Sequence, residues 1–392
     1  MITDLLSNLA DLAAISIVIW VQWRIGVSLL SWSPAKLIRA LLAVFGFLLA
    51  AGFLLTFHGV NRHVHVPPFG RGVLGGVTYL WAFCSTAAFV ARRVWLWLAN
   101  RGSASNFNPE RRMLVNAAGN LLAAAPFAMT GFGALIQRTD FHVREVEIPI
   151  PNLPRDLHGL RILQLTDIHL GPFLSERDLE RVIDESQNLR PHLAVITGDL
   201  ISMADDPLDA CLRQIARLRP DAGILGCMGN HEVYAKVERY TAEQGARLGI
   251  DFLRGRSRPL RFGAATLNIA GVDYQRIANR DTYLNGAERL MAPGAVNVML
   301  SHNPDVFPAA ARQGYDLTIS GHTHGGQVAV EILSQSLNIA RFVTPYVYGC
   351  YSQSRPSGAA AALYVSRGIG TIGIPVRIGA PPEITLLRLI PA

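Results

Sequence analysis

Leu163-Gln-Leu-Thr-Asp167-Ile-His169 is an apolar run of strand length that ends in an aspartate and a histidine. Four further runs have the same design, because each is apolar and ends at a residue that can bind a metal ion. They are Val195-Ile-Thr-Gly-Asp199, Leu225-Gly-Cys-Met-Gly-Asn230-His231-Glu232, Val298-Met-Leu-Ser-His302 and Leu317-Thr-Ile-Ser-Gly-His322-Thr-His324. Binding residues collect in loops at one edge of a rigid sheet, so we expect these side chains to lie close together.

The chain from Val143 onward alternates short apolar runs with Gly, Pro and Asn turns and a few amphipathic segments. Strands are predicted at Val143–Ile150, Arg161–Thr166, Leu193–Thr197, Gly223–Met228, Thr266–Ala270, Val296–Leu300, Leu317–Ser320, Ala361–Val365 and Ile384–Leu389. Helices are predicted at Ser175–Leu189, with Ser175 as N-cap, at Pro207–Arg217 and at Val233–Leu248. This mixture over about 250 residues favours an α/β domain with a layered sheet core.

In this order the five blocks resemble the calcineurin-like metallophosphoesterase superfamily, whose pattern is DxH, GD, GNH[DE], H and GHxH. The resemblance covers roughly residues 145–392. The segments 158–169 and 366–377 are similar to bacterial membrane-associated or exported members. The resemblance implies a layered α/β/β/α sandwich, which we assign to residues 141–392.

The resemblance also implies two divalent metal ions bridged by Asp199. Asp167, His169 and His324 would complete the first site, and Asn230, His302 and His322 the second. Two ions roughly 3.5–4 Å apart clamp the attacking and leaving oxygens of an in-line displacement at phosphorus, and a metal-bound hydroxide is the expected nucleophile. Oxygen and imidazole ligands without a thiolate favour Mn, Fe, Zn, Co or Ni, and we expect Mn, Fe or Zn.

His231 follows the predicted ligand Asn230 and is not itself expected to bind metal. The resemblance implies that it faces the substrate phosphate and assists the leaving group, which suits an imidazole acting as a general acid. Two interpretations of Glu232 remain open: it orients the His231 ring, or it begins the following helix, where an acid favours the amide dipoles. Gln327 and Arg367 are candidates for substrate contact.

The first 140 residues differ from the rest in charge. Half of the 392 residues are hydrophobic and 17% are charged, against roughly a quarter charged in ordinary soluble domains. Residues 1–140 hold eleven Lys/Arg and four Asp/Glu, a difference that equals the whole formal charge of +7. A nucleic-acid-binding protein would carry such an excess on a soluble domain. We therefore expect no nucleic-acid partner.

Four apolar stretches precede residue 140, at about 5–23, 37–57, 72–91 and 113–136. Each is near the roughly 20 residues that span a bilayer. Residues 1–140 are thus predicted to form an all-α transmembrane domain of about four helices, placing the protein in the bacterial inner or plasma membrane.

Basic residues in the short loops predict the orientation. Eight lie in the loops after the first and third stretches: Arg24, Lys36, Arg39, Arg92, Arg93, Arg101, Arg111 and Arg112. Four lie on the other side: Arg62, Arg71, Arg138 and Arg144. The catalytic domain is thus expected outside the cytoplasm. Arg111-Arg112 is either a twin-arginine export signal or simply a positive-inside pair.

The predicted function is hydrolysis of phosphodiester or pyrophosphate bonds by a membrane-anchored, two-metal-dependent phosphoesterase acting on a lipid-linked or envelope substrate. One alternative is a cytoplasm-facing diphosphatase for lipid precursors of the UDP-diacylglucosamine type. The other is a non-enzymatic membrane sensor or transporter with a metal-binding domain. Few charges beyond Asp11 lie within the apolar stretches, which argues against a transport pathway. The oligomeric state is not predicted.

Overall fold

The structure is a computed structural model that describes residues 16, 19–25, 27, 68–101, 109–332 and 335–392. It divides into two compact units, Met1–Gly133 and Ala134–Ala392.

Two long apolar helices dominate the described part of the first unit: α1 (Pro68–Arg101) and α2 (Pro109–Leu135). They pack against each other through the Trp95 indole, which donates to the Val115 carbonyl over 2.8 Å, and through Cys84 Sγ, 3.0 Å from Thr130 Oγ1. The segments Val73–Ala99 and Pro109–Thr139 are long and apolar enough to cross a membrane.

These two segments overlap the predicted spans 72–91 and 113–136. The predicted span 37–57 and most of 5–23 lie outside the described residues. A membrane domain of about four helices therefore stays a prediction, while two candidate spans are present among the described residues.

The second unit contains two six-stranded sheets. The first has the order β1 (His142–Ile150), β14 (Glu383–Pro391), β2 (Arg161–Leu165), β3 (Leu193–Thr197), β4 (Ile224–Cys227) and β5 (Ile250–Phe252). The second has the order β12 (Gly349–Ser354), β13 (Ala360–Val365), β9 (Leu317–Ser320), β8 (Val296–Leu300), β7 (Ala265–Gly271) and β6 (Arg256–Phe262). A hairpin of β10 (Ala329–Ile332) and β11 (Gln335–Asn338) lies outside both sheets.

Alternation along the central strands explains how the layers stack. Ile162 of β2 points towards the second sheet and packs in one core with Val298 of β8 and Ile319 of β9. Its neighbour Leu163 points the other way and shares a core with Leu179 and other helix residues. Strands buried on both faces are therefore continuous apolar runs.

Helices cover the outer faces of both sheets. They are α3 (Glu176–Asn188), α4 (Leu208–Ile215), α5 (Asn230–Ala235) and α6 (Glu238–Arg247) on the first sheet, and α7 (Phe307–Gln313) on the second. The resulting layer order is α/β/β/α, as the resemblance implies. Ser175 caps α3 by accepting a hydrogen bond from the Asp178 N–H, as predicted.

The predicted helix Val233–Leu248 is wrong, because the structure has two helices there. The α5 helix begins earlier, at Asn230, and ends at Ala235, because the next residue, Lys236, has a left-handed φ of 59°. The N–H groups of Lys236 and Val237 then close the turn on the carbonyls of Val233 and Glu232, a common way to end a helix. This early start places Asn230 and His231 in the first turn of α5.

Candidate metal centre

The predicted ligands leave the sheets at the carboxyl ends of neighbouring strands. Asp167 follows β2, Asp199 follows β3 and Asn230 follows β4, while His302 follows β8 and the His322/His324 pair follows β9. Carboxyl ends of parallel strands meet at one sheet edge, where binding sites form. The two sheets meet there too, since His302 Nδ1 lies 2.7 Å from the Thr197 carbonyl oxygen. All seven predicted ligands are thus brought together.

The first group is Asp167, His169 and His324, whose ligand atoms lie within 4.8 Å of one another. His324 Nε2 is 3.3 Å from Asp167 Oδ1 and 3.2 Å from His169 Nε2. The Asp167 carboxylate also accepts hydrogen bonds from the Thr166 hydroxyl and the His322 N–H. All three side chains of the group are buried.

Asp199 stands between the two predicted sites. Its Oδ2 is 3.5 Å from His169 Nε2 of the first group and 3.1 Å from His302 Nε2 of the second. Asp199, His302 and His322 form a group whose ligand atoms again lie within 4.8 Å of one another. The bridging position expected for Asp199 is therefore available in this geometry.

Unpartnered buried atoms fit metal ions at these positions. Asn230 Oδ1 and His324 Nδ1 are buried without a hydrogen-bond partner among the described residues. Buried polar atoms are normally paired, so a missing ligand is a physical reason for these exceptions. Since a carbonyl only accepts, His302 Nδ1 carries the hydrogen donated to Thr197, which leaves Nε2 as the metal-facing atom.

Burial and the neighbouring carboxylates set the charge states of the site histidines. Burial lowers the pKa of His169 to about 3 and that of His322 to about 4, and it lowers the pKa of His324 well below 6.5. Burial would also lower the pKa of His302, but Asp199 and Asp167 outweigh it and raise that pKa to about 10. Three site histidines are thus neutral near pH 7, the form that binds metal ions.

His231 lies beside the first group. Its Nδ1 is 2.7 Å from the Ser202 carbonyl oxygen, so this nitrogen donates and Nε2 is left to face outward. The ring is half-buried and meets the His169 ring edge-on, with 4.8 Å between centroids. One His231 nitrogen also lies within 4.8 Å of His169 and Asp199 ligand atoms. This geometry allows both proton donation and metal binding, so the predicted role needs a direct test.

Glu232 does not contact the His231 ring. Its Oε2 accepts the N–H groups of Gly229, over 2.7 Å, and of Asp199, over 3.0 Å, while Oε1 accepts that of Leu200. Burial, and then the Asp199 carboxylate, raise the pKa of Glu232. Of the two interpretations, beginning the helix fits, and Glu232 additionally joins the β3 and β4 loops that carry Asp199 and Asn230.

The two candidate substrate contacts have different surroundings. The Gln327 amide binds the backbone: its nitrogen donates to the Ile372 and Ile374 carbonyls and its oxygen accepts the Ile372 N–H. It therefore holds a loop and has no donor left for substrate. The Arg367 guanidinium lies 4.3 Å over the Tyr348 ring.

Three neighbours of the site have no recognisable motif in the sequence. Ser202 contacts His169 through its hydroxyl, over 3.0 Å, and His231 through its carbonyl. The half-buried Tyr274 ring lies 5.6 Å from the His322 ring. Arg377 is fully buried and donates to backbone carbonyls of the 367–380 loop. Of the three, only Arg377 lies in a segment, 366–377, that the sequence resemblance had already included.

Comparisons with known proteins identify the family. The family model for calcineurin-like phosphoesterases matches residues 160–326. An uncharacterized metallophosphoesterase of Aquifex aeolicus is 30% identical over 260 residues, which cover 63% of this chain and 91% of that protein. This chain belongs to the calcineurin-like metallophosphoesterase family. The resemblance stated from the sequence is thereby confirmed.

Two other members of the family are similar to this chain. The uncharacterized metallophosphoesterase YkuE of Bacillus subtilis is 26% identical over 284 residues, covering 71% of this chain and 96% of that protein. A zebrafish (Danio rerio) protein named "Transmembrane protein with metallophosphoesterase domain" is 31% identical over 259 residues, 63% of this chain. The chain spans 57% of the length of that zebrafish relative. The bacterial relatives agree with the predicted bacterial subfamily.

Proposed function

We propose that this metallophosphoesterase is a membrane-anchored hydrolase that uses two divalent metal ions to cleave phosphodiester or pyrophosphate bonds. One observation carries the proposal: Asp199 Oδ2 lies within 3.5 Å of imidazole nitrogens of both ligand groups. A single carboxylate shared by two ligand groups suits a pair of divalent ions, because their mutual repulsion needs a common anion.

Asp167, His169 and His324 would hold one ion, Asn230, His302 and His322 the other, and Asp199 both. When bound, Mn, Fe or Zn ions would polarise the phosphoryl group and activate water for in-line attack. Neighbouring residues keep the ligands in place. The Thr197 carbonyl fixes the tautomer of His302, and the Ser202 hydroxyl lies 3.0 Å from His169 Nδ1.

His231 is proposed to protonate the leaving group. Its Nδ1–H is held by the Ser202 carbonyl, so a protonated ring directs Nε2–H outward, beside the first ligand group. A proton delivered from Nε2 to the departing oxygen neutralises the charge that develops there. The Ser202 carbonyl then stabilises the proton on the opposite nitrogen.

A lipid-linked or envelope substrate is proposed because the chain carries membrane-length apolar helices. Two candidate spans, Val73–Ala99 and Pro109–Thr139, precede the catalytic unit. The proposed placement of that unit, residues 141–392, outside the cytoplasm follows from the excess of basic residues in the loops assigned to the inner side.

The full-length protein, loaded with Mn²⁺, tests the proposal on three probes: a lipid diphosphate, a nucleotide diester and bis(p-nitrophenyl) phosphate. We expect metal-dependent hydrolysis of the aryl diester and faster hydrolysis of the lipid-linked probe. The control is the same preparation after chelation, which should lose activity and regain it with added metal. Absence of hydrolysis with Mn, Fe and Zn would refute the proposed chemistry.

A further inference from the structure

Several exposed apolar side chains lie on segments that adjoin the candidate metal centre. We define the apolar rim as the five most exposed of them. They are Met203, 60% exposed, Tyr234, 62%, Ile277, 44%, Phe342, 92%, and Val343, 63%. Single exposed apolar residues are ordinary, but a group around one site marks an interaction surface.

Two rim residues lie next to the first ligand group. Met203 follows Ser202, whose hydroxyl and carbonyl contact His169 and His231. The Tyr234 ring lies 5.6 Å from the His231 ring, edge-on. This side of the rim therefore borders the proposed proton donor.

The other three rim residues come from loops of the second sheet. Ile277 lies three residues after Tyr274, whose ring is 5.6 Å from that of His322. Phe342 and Val343 belong to a loop whose Asn338 side chain donates to the Gly325 carbonyl over 2.7 Å, beside His324. Both sheets thus contribute apolar side chains to the surroundings of one site.

Basic side chains lie next to rim residues in the sequence. Lys236, Arg276 and Arg341 are exposed, lie within two residues of Tyr234, Ile277 and Phe342, and make no ion pair with another described residue. The nearest exposed acids of the same segments are Asp205 and Asp281. Apolar side chains flanked by unpaired cations suit a layer of anionic lipid headgroups above an apolar interior.

In the proposed membrane-anchored protein, the catalytic unit is tethered close to a bilayer. The candidate span Pro109–Thr139 leads into β1 at His142 through Asp140 and Phe141 alone. Since a residue extends at most about 3.3–3.6 Å, this connection is short. A lipid surface is therefore the partner that the chain itself supplies to the rim.

We propose that the apolar rim inserts into the headgroup layer of an anionic bilayer, so that the metal centre opens directly onto the lipid surface. The substrate would then be a phosphate ester within a lipid headgroup, reached without leaving the membrane. This consequence for the substrate rests on the proposed function, whereas contact between rim and lipid does not.

The contact is tested without turnover in the full-length protein reconstituted into phosphatidylcholine–phosphatidylglycerol vesicles. Cys350 is the one exposed free cysteine of the described residues, so Cys350→Ser gives a background for labelling Phe342→Cys or Ile277→Cys with a fluorophore. Lipids with a nitroxide near the headgroup should quench both labels. The matched control is Leu248→Cys, at a position 39% exposed and outside the rim. Quenching no stronger at the rim than at 248 would overturn the proposal.

A second experiment tests the consequence for substrate. The variant Met203→Ser/Ile277→Ser/Phe342→Ser leaves all proposed ligands and His231 in place. We expect unchanged hydrolysis of soluble bis(p-nitrophenyl) phosphate but a loss of about tenfold or more on a diacylglyceryl p-nitrophenyl phosphate presented in vesicles. Equal losses on both probes, or no loss on either, contradict a rim that delivers lipid substrates. A wild-type protein inactive on both probes refutes the phosphoesterase function, while the quenching result still decides the contact.

Discussion

Five of the proposed metal ligands have a left-handed backbone conformation, which is rare for residues other than glycine. Asp167, His169, Asp199, His322 and His324 all have φ values between 49° and 76°. The left-handed region costs an ordinary L-residue roughly 1–2 kcal/mol. Such strain persists only where surrounding structure imposes it, and it clusters at functional sites. The ligands are therefore held ready before any metal ion binds.

Glycine at position 321 shows how tightly this backbone is packed. A Cβ atom there would lie 2.2 Å from Thr166 Oγ1 and 2.3 Å from Asp167 Oδ2. No side chain fits at that distance, so the strand β9 can pass Asp167 and deliver His322 only with glycine between them. The glycine of the GHxH block is thus explained by the close approach of the backbone at position 321 to Thr166 and Asp167.

Replacement of His231 tests its role as proton donor. We expect His231→Ala to retain its metal ions but to lose roughly 10²–10⁴-fold in turnover, the usual scale for general acid–base catalysis. Substrates with good leaving groups need no proton and should lose less. Metal content and rates on a series of aryl phosphodiesters measure both effects. The exposed His158→Ala serves as control. Loss of metal, or equal losses across the series, would contradict the role of proton donor.

The stability of the metal-free protein should depend on pH through the site histidines. The folded-state pKa values of His169 and His322, about 3 and about 4, lie below the unfolded value of 6.5. Their contribution to stability is therefore lost as pH falls below 6.5. His302 has a raised pKa of about 10, so its contribution is present below 6.5 and lost as pH rises through 10.

Thermal unfolding of the chelated full-length protein at about pH 5, 6.5 and 9 should thus give the highest Tm near the middle value. His302→Asn keeps a donor near the position of Nδ1 for the Thr197 carbonyl and should lose the alkaline decline while retaining the acid one. A metal-free protein with the same Tm at all three pH values would show that these histidines are not buried as described.

Elements buried on both faces were predictable, because their apolar runs leave little choice of structure. The central strands β3, β8 and β9 have the predicted bounds, and the other predicted strands differ by one or two residues at an end. The five predicted metal-binding blocks lie at the carboxyl ends of apolar strands of this kind. For this reason the sequence also predicts which residues meet at the site.

Edge elements were not predictable by the same signal. The β6 strand, Arg256–Phe262, contains three arginines and Pro259 and is mostly exposed at the sheet edge. Charged residues and proline prevent edge strands from pairing further. Because they replace the apolar residues, the strand lacks the hydrophobic pattern from which strands are predicted. The roles of Ser202 and Tyr274 were equally hidden, because they act through loop contacts that no sequence spacing records.

The loop containing Arg377 illustrates stability at the element scale. The buried guanidinium donates to the carbonyls of Arg367, Gly368, Gly370 and Ala380, and burial lowers its pKa to about 10. This loop lies against the first ligand group, since a Cβ on Gly368 would be 2.6 Å from the Asp167 Cβ. Arg377 therefore acts as a positioning residue.

Arg377→Met should destabilise the protein by about 1–3 kcal/mol for each buried carbonyl left unpaired. Each kcal/mol lowers Tm by about 2–4 °C in a domain of this size. Arg377→Lys keeps three donors and should lose less. Thermal unfolding and metal content are the measurements, with the exposed Arg213→Met as control. A Tm for Arg377→Met equal to that of the control would exclude the clamping role.

At the scale of the whole molecule, orientation in the membrane decides which substrates are available. Protease added to intact spheroplasts should cut the catalytic unit, because the basic loops are expected to remain inside. Arg111→Lys with Arg112→Lys preserves charge, so it should impair export only if this pair is a twin-arginine signal. Cleavage only after lysis would place the site in the cytoplasm, and cytoplasmic lipid-precursor diphosphates would then be the substrates to test.

The shared carboxylate of Asp199 is the central claim, and metal content with turnover tests it most directly. The full-length protein should bind two divalent ions per chain and hydrolyse bis(p-nitrophenyl) phosphate. Asp199→Asn should bind less metal and lose hydrolysis, because its Oδ2 faces both ligand groups. Asp209→Asn, at an exposed carboxylate bonded to Tyr240, should match the wild type. Two metal ions per chain and near-normal turnover in Asp199→Asn would contradict the account.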